Sequence, residues 1–184
     1  MIGHLLSSGK PGYHHALDIL LGSPVIPYLY QINVSDGGVP KHAVSEAWVT
    51  LEGINGDRQR NGVIHGGPER ALCLFSLEVI QALQQEGHFL KAGSTGENLT
   101  FSRLNWAALK PGSRLRIGPS LFVEITSYCE PCRHNAKWFR GEHYTRISQK
   151  IHPGWSRLYA RVLNEGLVRQ GDPVHIQSLS HVRM

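Results

Sequence analysis

Short runs of alternating apolar and polar residues, each closed by a glycine turn, recur along this chain and restrict its fold more than any other feature. Residues 28 to 35, YLYQINVS, end at Asp36-Gly37-Gly38. Residues 43 to 53, AVSEAWVTLEG, place Ala47, Val49 and Leu51 on one face. A period of two is the mark of a strand with one face buried. Residues 70 to 76, RALCLFS, form a short apolar run suited to a buried strand. Residues 111 to 128 read as two strands that meet at Gly118-Pro119-Ser120. From 156 onward, three more strands are separated by Glu165-Gly166 and Gly171-Asp172, where β-branched residues and close turns disfavour a helix. The period changes once, after Ser76. There Leu77, Ile80 and Leu83 recur at helical spacing, Ser76 can cap, Glu78 lies in the first turn and Gly87 ends the run. The expectation is a mainly β fold, a single β-barrel-like domain with a few short flanking helices.

With 184 residues, 41% of them apolar, the chain can bury a core as one domain. No apolar run approaches a membrane span. The domain is expected over residues 28–184. Residues 1–27 read as an N-terminal arm with one helical turn in HALDILL and without the features of a secretory signal. The three cysteines, Cys73, Cys129 and Cys132, are too few and odd in number for a disulfide framework. The expected compartment is therefore the reducing cytoplasm, with no membrane partner. The net charge of +5 favours an anionic partner. The basic residues are scattered and no aromatic stripe runs between them, which argues against nucleic acid and for a phosphate-bearing small molecule.

Four loops carry the residues suited to chemistry. The segment CEPCRHN, residues 129–135, admits three readings. Cys129, Cys132 and His134 supply three zinc ligands where a structural site needs four, unless Cys73 joins them. A redox pair of the C-x-x-C kind belongs in a βαβ setting that this chain lacks. A single reactive thiolate at a strand end, beside Arg133, His134 and a short helix, is the third. Cys73 itself suits a small buried hydrophobe. In NGVIHGGPERAL, residues 61–72, paired Gly66 and Gly67 let backbone N–H groups approach an anion, with His65 and Arg70 beside them. In GSTGENLTF, Asn98 can bond a heteroaromatic edge and Glu97 can accept from a ligand, although both also suit a turn that caps a strand. In GDRQRNG, Arg58 and Arg60 can fork onto a phosphate.

These loops occur together and in order. With NVSDGGVPKHAV, GINGDRQ, HGGPERALCLFS, GSTGENLTF, PGSRLRIG, SYCEPC and the closing GWSRLYARVLNEGLVRQGDPV, they resemble the MOSC domain family, named for the C-terminal domain of molybdenum cofactor sulfurases. The resemblance spans roughly residues 28 to 177, and 184 residues suit the small stand-alone bacterial members rather than the larger multidomain relatives. It implies a barrel-like fold and a molybdenum cofactor (molybdopterin) held by the protein. It implies that Cys132, in the Pro131-Cys132 pair, is the essential cysteine and metal ligand, with Cys129 an addition to the pattern. It assigns cofactor binding to Arg58, His65, Gly66, Gly67, Arg70, Glu97 and Asn98. The activity implied is that of an oxidoreductase acting on small N-hydroxylated substrates with an electron-donor reductase as partner. Two other functions fit the same residues. One is a sulfur carrier with a persulfide on Cys132, served by a cysteine desulfurase. The other is a non-enzymatic anion-binding β-barrel.

Overall fold

The computed structural model describes residues 25–58 and 67–177. Most of the expected arm, including HALDILL, and the loop positions Arg60, His65 and Gly66 lie outside the described residues.

The chain forms eleven strands and one α-helix among those residues. The strands are β1 Tyr28–Val34, β2 His42–Val44, β3 Glu46–Thr50, β4 Gly53–Ile54 and β5 Leu72–Ser76. After the helix α1, Leu77–Gln85, come β6 Leu99–Ser102, β7 Arg114–Ile117, β8 Leu121–Cys129, β9 Arg157–Asn164, β10 Gly166–Arg169 and β11 Val174–Gln177. Eight strands make one sheet in the order β11-β7-β8-β9-β5-β6-β1-β2, and β10-β3-β4 make a second. Neighbours are antiparallel except β5 and β6. That parallel pair needs a crossover, and α1 lies in it.

The sheet does not close into a barrel. The outer edge of β1 is taken up by β2 from Ile32 to Val34, so only its first residues remain for the far end of the sheet. There a single antiparallel bridge joins Tyr28 to Pro173. The N–H of Leu29 donates to Asp172 O at 2.9 Å, and that of Val174 to Pro27 O at 2.8 Å. The two ends meet at a point, and no ladder runs between them.

The expected strand over 43–53 is also divided. The chain leaves the first sheet at Ser45 and enters the second as β3, where Val49 is buried. Leu51 falls in the turn to β4 and is 52% exposed, so it does not share that buried face. The remaining strand runs and α1 lie where the sequence places them, and β5 is buried along its whole length. Leu29, Phe75, Phe101 and Leu115 belong to one apolar core.

Helix α1 starts as its sequence dictates. Ser76 Oγ accepts from the N–H of Glu78 at 3.1 Å and of Val79 at 3.3 Å. Glu78 then ties the helix to the end of β6, accepting from Ser102 Oγ at 2.8 Å and Arg103 N at 2.7 Å. Partial burial raises its pKa, but the bonds from Arg103, Ser76 and Ser102 outweigh this and hold it below the usual glutamate value. A depressed carboxylate pKa stabilises the fold above the unfolded-state value, and that gain is lost as pH falls through the folded one. Glu78→Gln is therefore expected to melt below the parent at about pH 7, with the gap narrowing well below pH ~4. Thermal melts of both proteins across that range check it, and a constant gap contradicts it.

Candidate functional site

One end of the sheet opens into a cavity of about 570 Å³. Loops from distant parts of the chain supply its walls: the β1–β2 loop, the segment after β4, the turn before β5, the loop before β6, the segment after β8 and the first residues of β9. Among the described residues, five cationic side chains line it, Lys41, Arg58, Arg70, Lys137 and Arg157, against one carboxylate, Glu130. Field lines focused by such a wall favour an anionic ligand.

The floor is built around Asp57. Its carboxylate accepts from Ser35 N at 2.8 Å, from Asn98 Nδ2 at 2.8 Å and from Lys41 Nζ. The Lys41 and Asp57 side chains are 7% and 5% exposed. Asn98 is fixed on its other side by Cys73 N, which donates to its Oδ1 at 3.0 Å. Asn98 lines the cavity with one amide hydrogen committed to Asp57. Gly93 sits where its N–H bonds Glu97 Oε1 at 2.6 Å and its carbonyl accepts from Lys41 N at 2.9 Å. Its φ is +85°, and a Cβ there would meet Lys41 O at 2.5 Å, so this close approach requires glycine.

Cys132 lies at the rim, half-buried, at the start of the 3-10 turn Arg133–Trp138. Its Sγ is 3.9 Å from His134 Nδ1. Cys129, the last residue of β8, is buried. No group of three or more His, Cys, Asp or Glu side chains is arranged to hold a metal ion among the described residues, so the local zinc reading lacks its ligand set. The parallel α/β surroundings of a thioredoxin-like pair are absent as well: β8 is flanked by antiparallel neighbours.

Of the expected site residues, Arg58, Arg70, Asn98 and Cys132 line one cavity. The Arg58 side chain is largely exposed and pairs with Asp36 at 3.2 Å. Arg70 stacks over the Tyr159 ring, 5.3 Å from its centre. Gly67 precedes the turn Pro68–Arg70 with φ +93° and does not line the cavity. Glu97 is fully buried beneath the wall, where its oxygens accept from Gly93 N and Thr95 Oγ1. Burial pushes its carboxyl pKa up, against those hydrogen bonds. It shapes the loop instead of facing the cavity.

Motif reading missed Lys41, Asn135 and Arg157. Arg157 and Tyr159 are two apart on β9 and therefore share its cavity face. Arg157 is 5% exposed and donates through Nη1 to Thr95 O, while Asn135, 1% exposed, donates to the same carbonyl at 3.4 Å. Arg157 Nε and Asn135 Oδ1 have no hydrogen-bond partner among the described residues. A buried donor and a buried acceptor left unpaired beside a cavity fit a polar ligand that satisfies both.

Comparison with known proteins agrees with this architecture. The family model described as MOSC domain matches residues 61–175. The chain is 27% identical over 170 residues to the uncharacterized protein YflK of Bacillus subtilis (strain 168), covering 92% of this chain and 76% of that one. It is 28% identical over 165 residues to protein YiiM of Escherichia coli (strain K12), covering 84% and 72%. The crystal structure of YiiM from Escherichia coli superposes with a TM-score of 0.63 at 21% identity, over 84% of this chain and 71% of that one, a likeness of fold. No helix among the described residues is long and apolar enough to cross a membrane.

Proposed function

Because the chain belongs to the MOSC domain family, we propose that it holds a molybdenum cofactor through Cys132 and reduces small N-hydroxylated compounds. The observation that carries this reading is the placement of Cys132 on a cavity that it lines together with the cationic side chains of Lys41, Arg58, Arg70, Lys137 and Arg157.

The residues present fit such a group. A phosphate-bearing pterin needs cations, and Arg70, Arg58 and Lys137 line the same cavity. A heterocycle edge with both donors and acceptors suits Arg157 Nε and Asn135 Oδ1. A soft thiolate suits molybdenum that already carries sulfur ligands. When bound, the cofactor supplies the two-electron chemistry that takes oxygen from an N–OH group.

The chain's own part is binding, orientation and proton handling. Cys132 Sγ would hold the metal, and His134 Nδ1, 3.9 Å away, would accept its S–H proton. The Lys41–Asp57–Asn98 network fixes the floor before any ligand arrives. Such preorganisation spares reorganisation during the reaction. In overall balance, R–NH–OH takes two electrons and two protons to give R–NH2 and water, with the electrons from a separate donor protein.

The test uses protein made in a host that synthesises the cofactor, with an N-hydroxylated amidine as substrate and a reduced viologen dye as donor. Conversion to the amidine is expected. Arg70→Ala is expected to lower cofactor retention by about tenfold or more, the scale of one charge-assisted contact, with little change in melting temperature. Equal cofactor occupancy in Arg70→Ala and parent contradicts the pocket assignment. A turnover-inactive, metal-free protein with about 32 Da added on Cys132 instead supports a sulfur carrier.

A further inference from the structure

The segment that brings Cys132, Asn135 and Lys137 to the cavity is gripped at its far end by two consecutive residues, His88 and Phe89. The N–H of Phe89 donates to Trp138 O at 2.8 Å, and His88 Nδ1 accepts from Arg140 N at 3.0 Å. Phe139, between those two positions, is buried, and its ring packs on the His88 imidazole with 5.1 Å between centres.

His88 has a rigid mount. Gly87 ends α1 at φ +87°, its N–H donating to Gln84 O at 2.9 Å, while the N–H of His88 donates to Leu83 O at 3.0 Å. These are the two bonds of a Schellman cap, and they fix the His88 backbone to the helix end. Leu83 is fully buried, so the mount is anchored in the core. The gripped segment is a 3-10 turn, Arg133–Trp138, whose hydrogen bonds are poorer than those of an α-helix. It depends correspondingly more on its outside contacts.

The bond at Nδ1 fixes a protonation state. A ring nitrogen that accepts carries no proton, so the imidazole is neutral with its hydrogen on Nε2. Nε2 faces Glu86 Oε2 at 3.6 Å, and the His88 side chain is 8% exposed. Both Glu86 oxygens already accept from Arg146, at 2.6 and 2.9 Å. Burial lowers the His88 pKa; Glu86 raises it, Arg146, His143 and Arg140 lower it, and the balance falls below the ordinary histidine value. A lowered histidine pKa means that the contact contributes fully above the ordinary value and is lost as pH falls through the folded one.

We propose that His88 is a proton-operated clamp on the cavity segment. Neutral, it holds the chain bearing Cys132, Asn135 and Lys137 against α1. Protonated, it turns an N–H toward the N–H of Arg140 and releases that chain. The consequence for cofactor retention rests on the function proposed above; the clamp itself does not.

The test is hydrogen exchange of the purified chain at about pH 7.5 and about pH 5, on either side of the ordinary histidine value. Protection is read in peptides covering residues 136–144, relative to unstructured chain at the same pH. In the parent, protection of the Arg140 amide is expected to fall by about fivefold or more in acid, the factor of one net hydrogen bond. His88→Asn puts a carbonyl oxygen where Nδ1 stood and does not titrate, so it is expected to stay protected at both values. His88→Phe keeps a ring against Phe139 without an acceptor, and is expected to be loose at both. Equal parent protection at the two pH values would overturn the clamp. So would a fall in His88→Asn as large as the parent's, which would place the titration on another group such as His143. A second arm uses protein from a cofactor-competent host: after dialysis at about pH 5 the parent is expected to retain less molybdenum than His88→Asn. Equal loss from both would overturn control of the site by the clamp. A parent without molybdenum even at about pH 7.5 would contradict the proposed function, and the exchange result alone would then decide the clamp.

Discussion

Asp57→Ala is expected to lower the unfolding free energy by about 3–5 kcal/mol. Asp57 is the counter-charge of Lys41, and both side chains are almost entirely shielded from water. Removing the carboxylate strands a buried ammonium and also leaves Ser35 N and Asn98 Nδ2 without their acceptor. The loss is large beside the roughly 5–15 kcal/mol that holds a typical domain together. Replacing both members, Asp57→Leu with Lys41→Met, is expected to recover much of it, because an apolar pair needs no desolvated charges. Urea unfolding of the parent, the single and the double variant checks this. A single-variant loss below about 1 kcal/mol, the range of exposed ion pairs, would show that water reaches Lys41. The same substitution should loosen the cavity floor, since Asn98 holds its place through Asp57 on one side and Cys73 N on the other.

Cys132→Ala is expected to do the reverse, leaving the fold alone and abolishing turnover. The thiol caps no backbone group of the following 3-10 turn and is only half-buried, so melting temperature should barely move. Reduction of an N-hydroxylated amidine should fall by at least about 10³-fold, a loss of roughly 4 kcal/mol of transition-state stabilisation. Cys132→Ser should rescue little, because a hydroxyl is a hard ligand where a soft one is required. Side-by-side assays and melts decide it. Turnover that survives in either variant removes Cys132 from the chemistry.

Much of the fold is legible in the residues. Strand-like runs closed by glycine turns locate β1 and β7 through β11, and Ser76 and Gly87 bracket α1. What alternation cannot encode is where a strand changes sheets. AVSEAWVTLEG reads as one strand, yet Ser45 divides it and Leu51 ends in a turn. Closure of the sheet is equally invisible, since it depends on how much of the β1 edge β2 occupies. At the site, loop motifs lead to Arg58, Arg70, Asn98 and Cys132 because each stands in a dense turn. Arg157 stands in an ordinary alternating strand, and only the pairing register turns it inward beside Cys129. Glu97 misleads for the opposite reason. A carboxylate in a glycine-rich loop resembles a ligand-binding group until its partners are seen to be Gly93 and Thr95 of the same loop.

On the proposed function, Cys132 ties a molybdenum cofactor into the cationic cavity. Metal and pterin analysis of freshly purified parent and Cys132→Ala, both made in a cofactor-competent host, tests it most directly. Molybdenum and pterin are expected in equal amounts, approaching one of each per parent chain, with loss of molybdenum from the variant. Equal molybdenum in the two proteins, or neither molybdenum nor pterin in a well-folded parent, would contradict it.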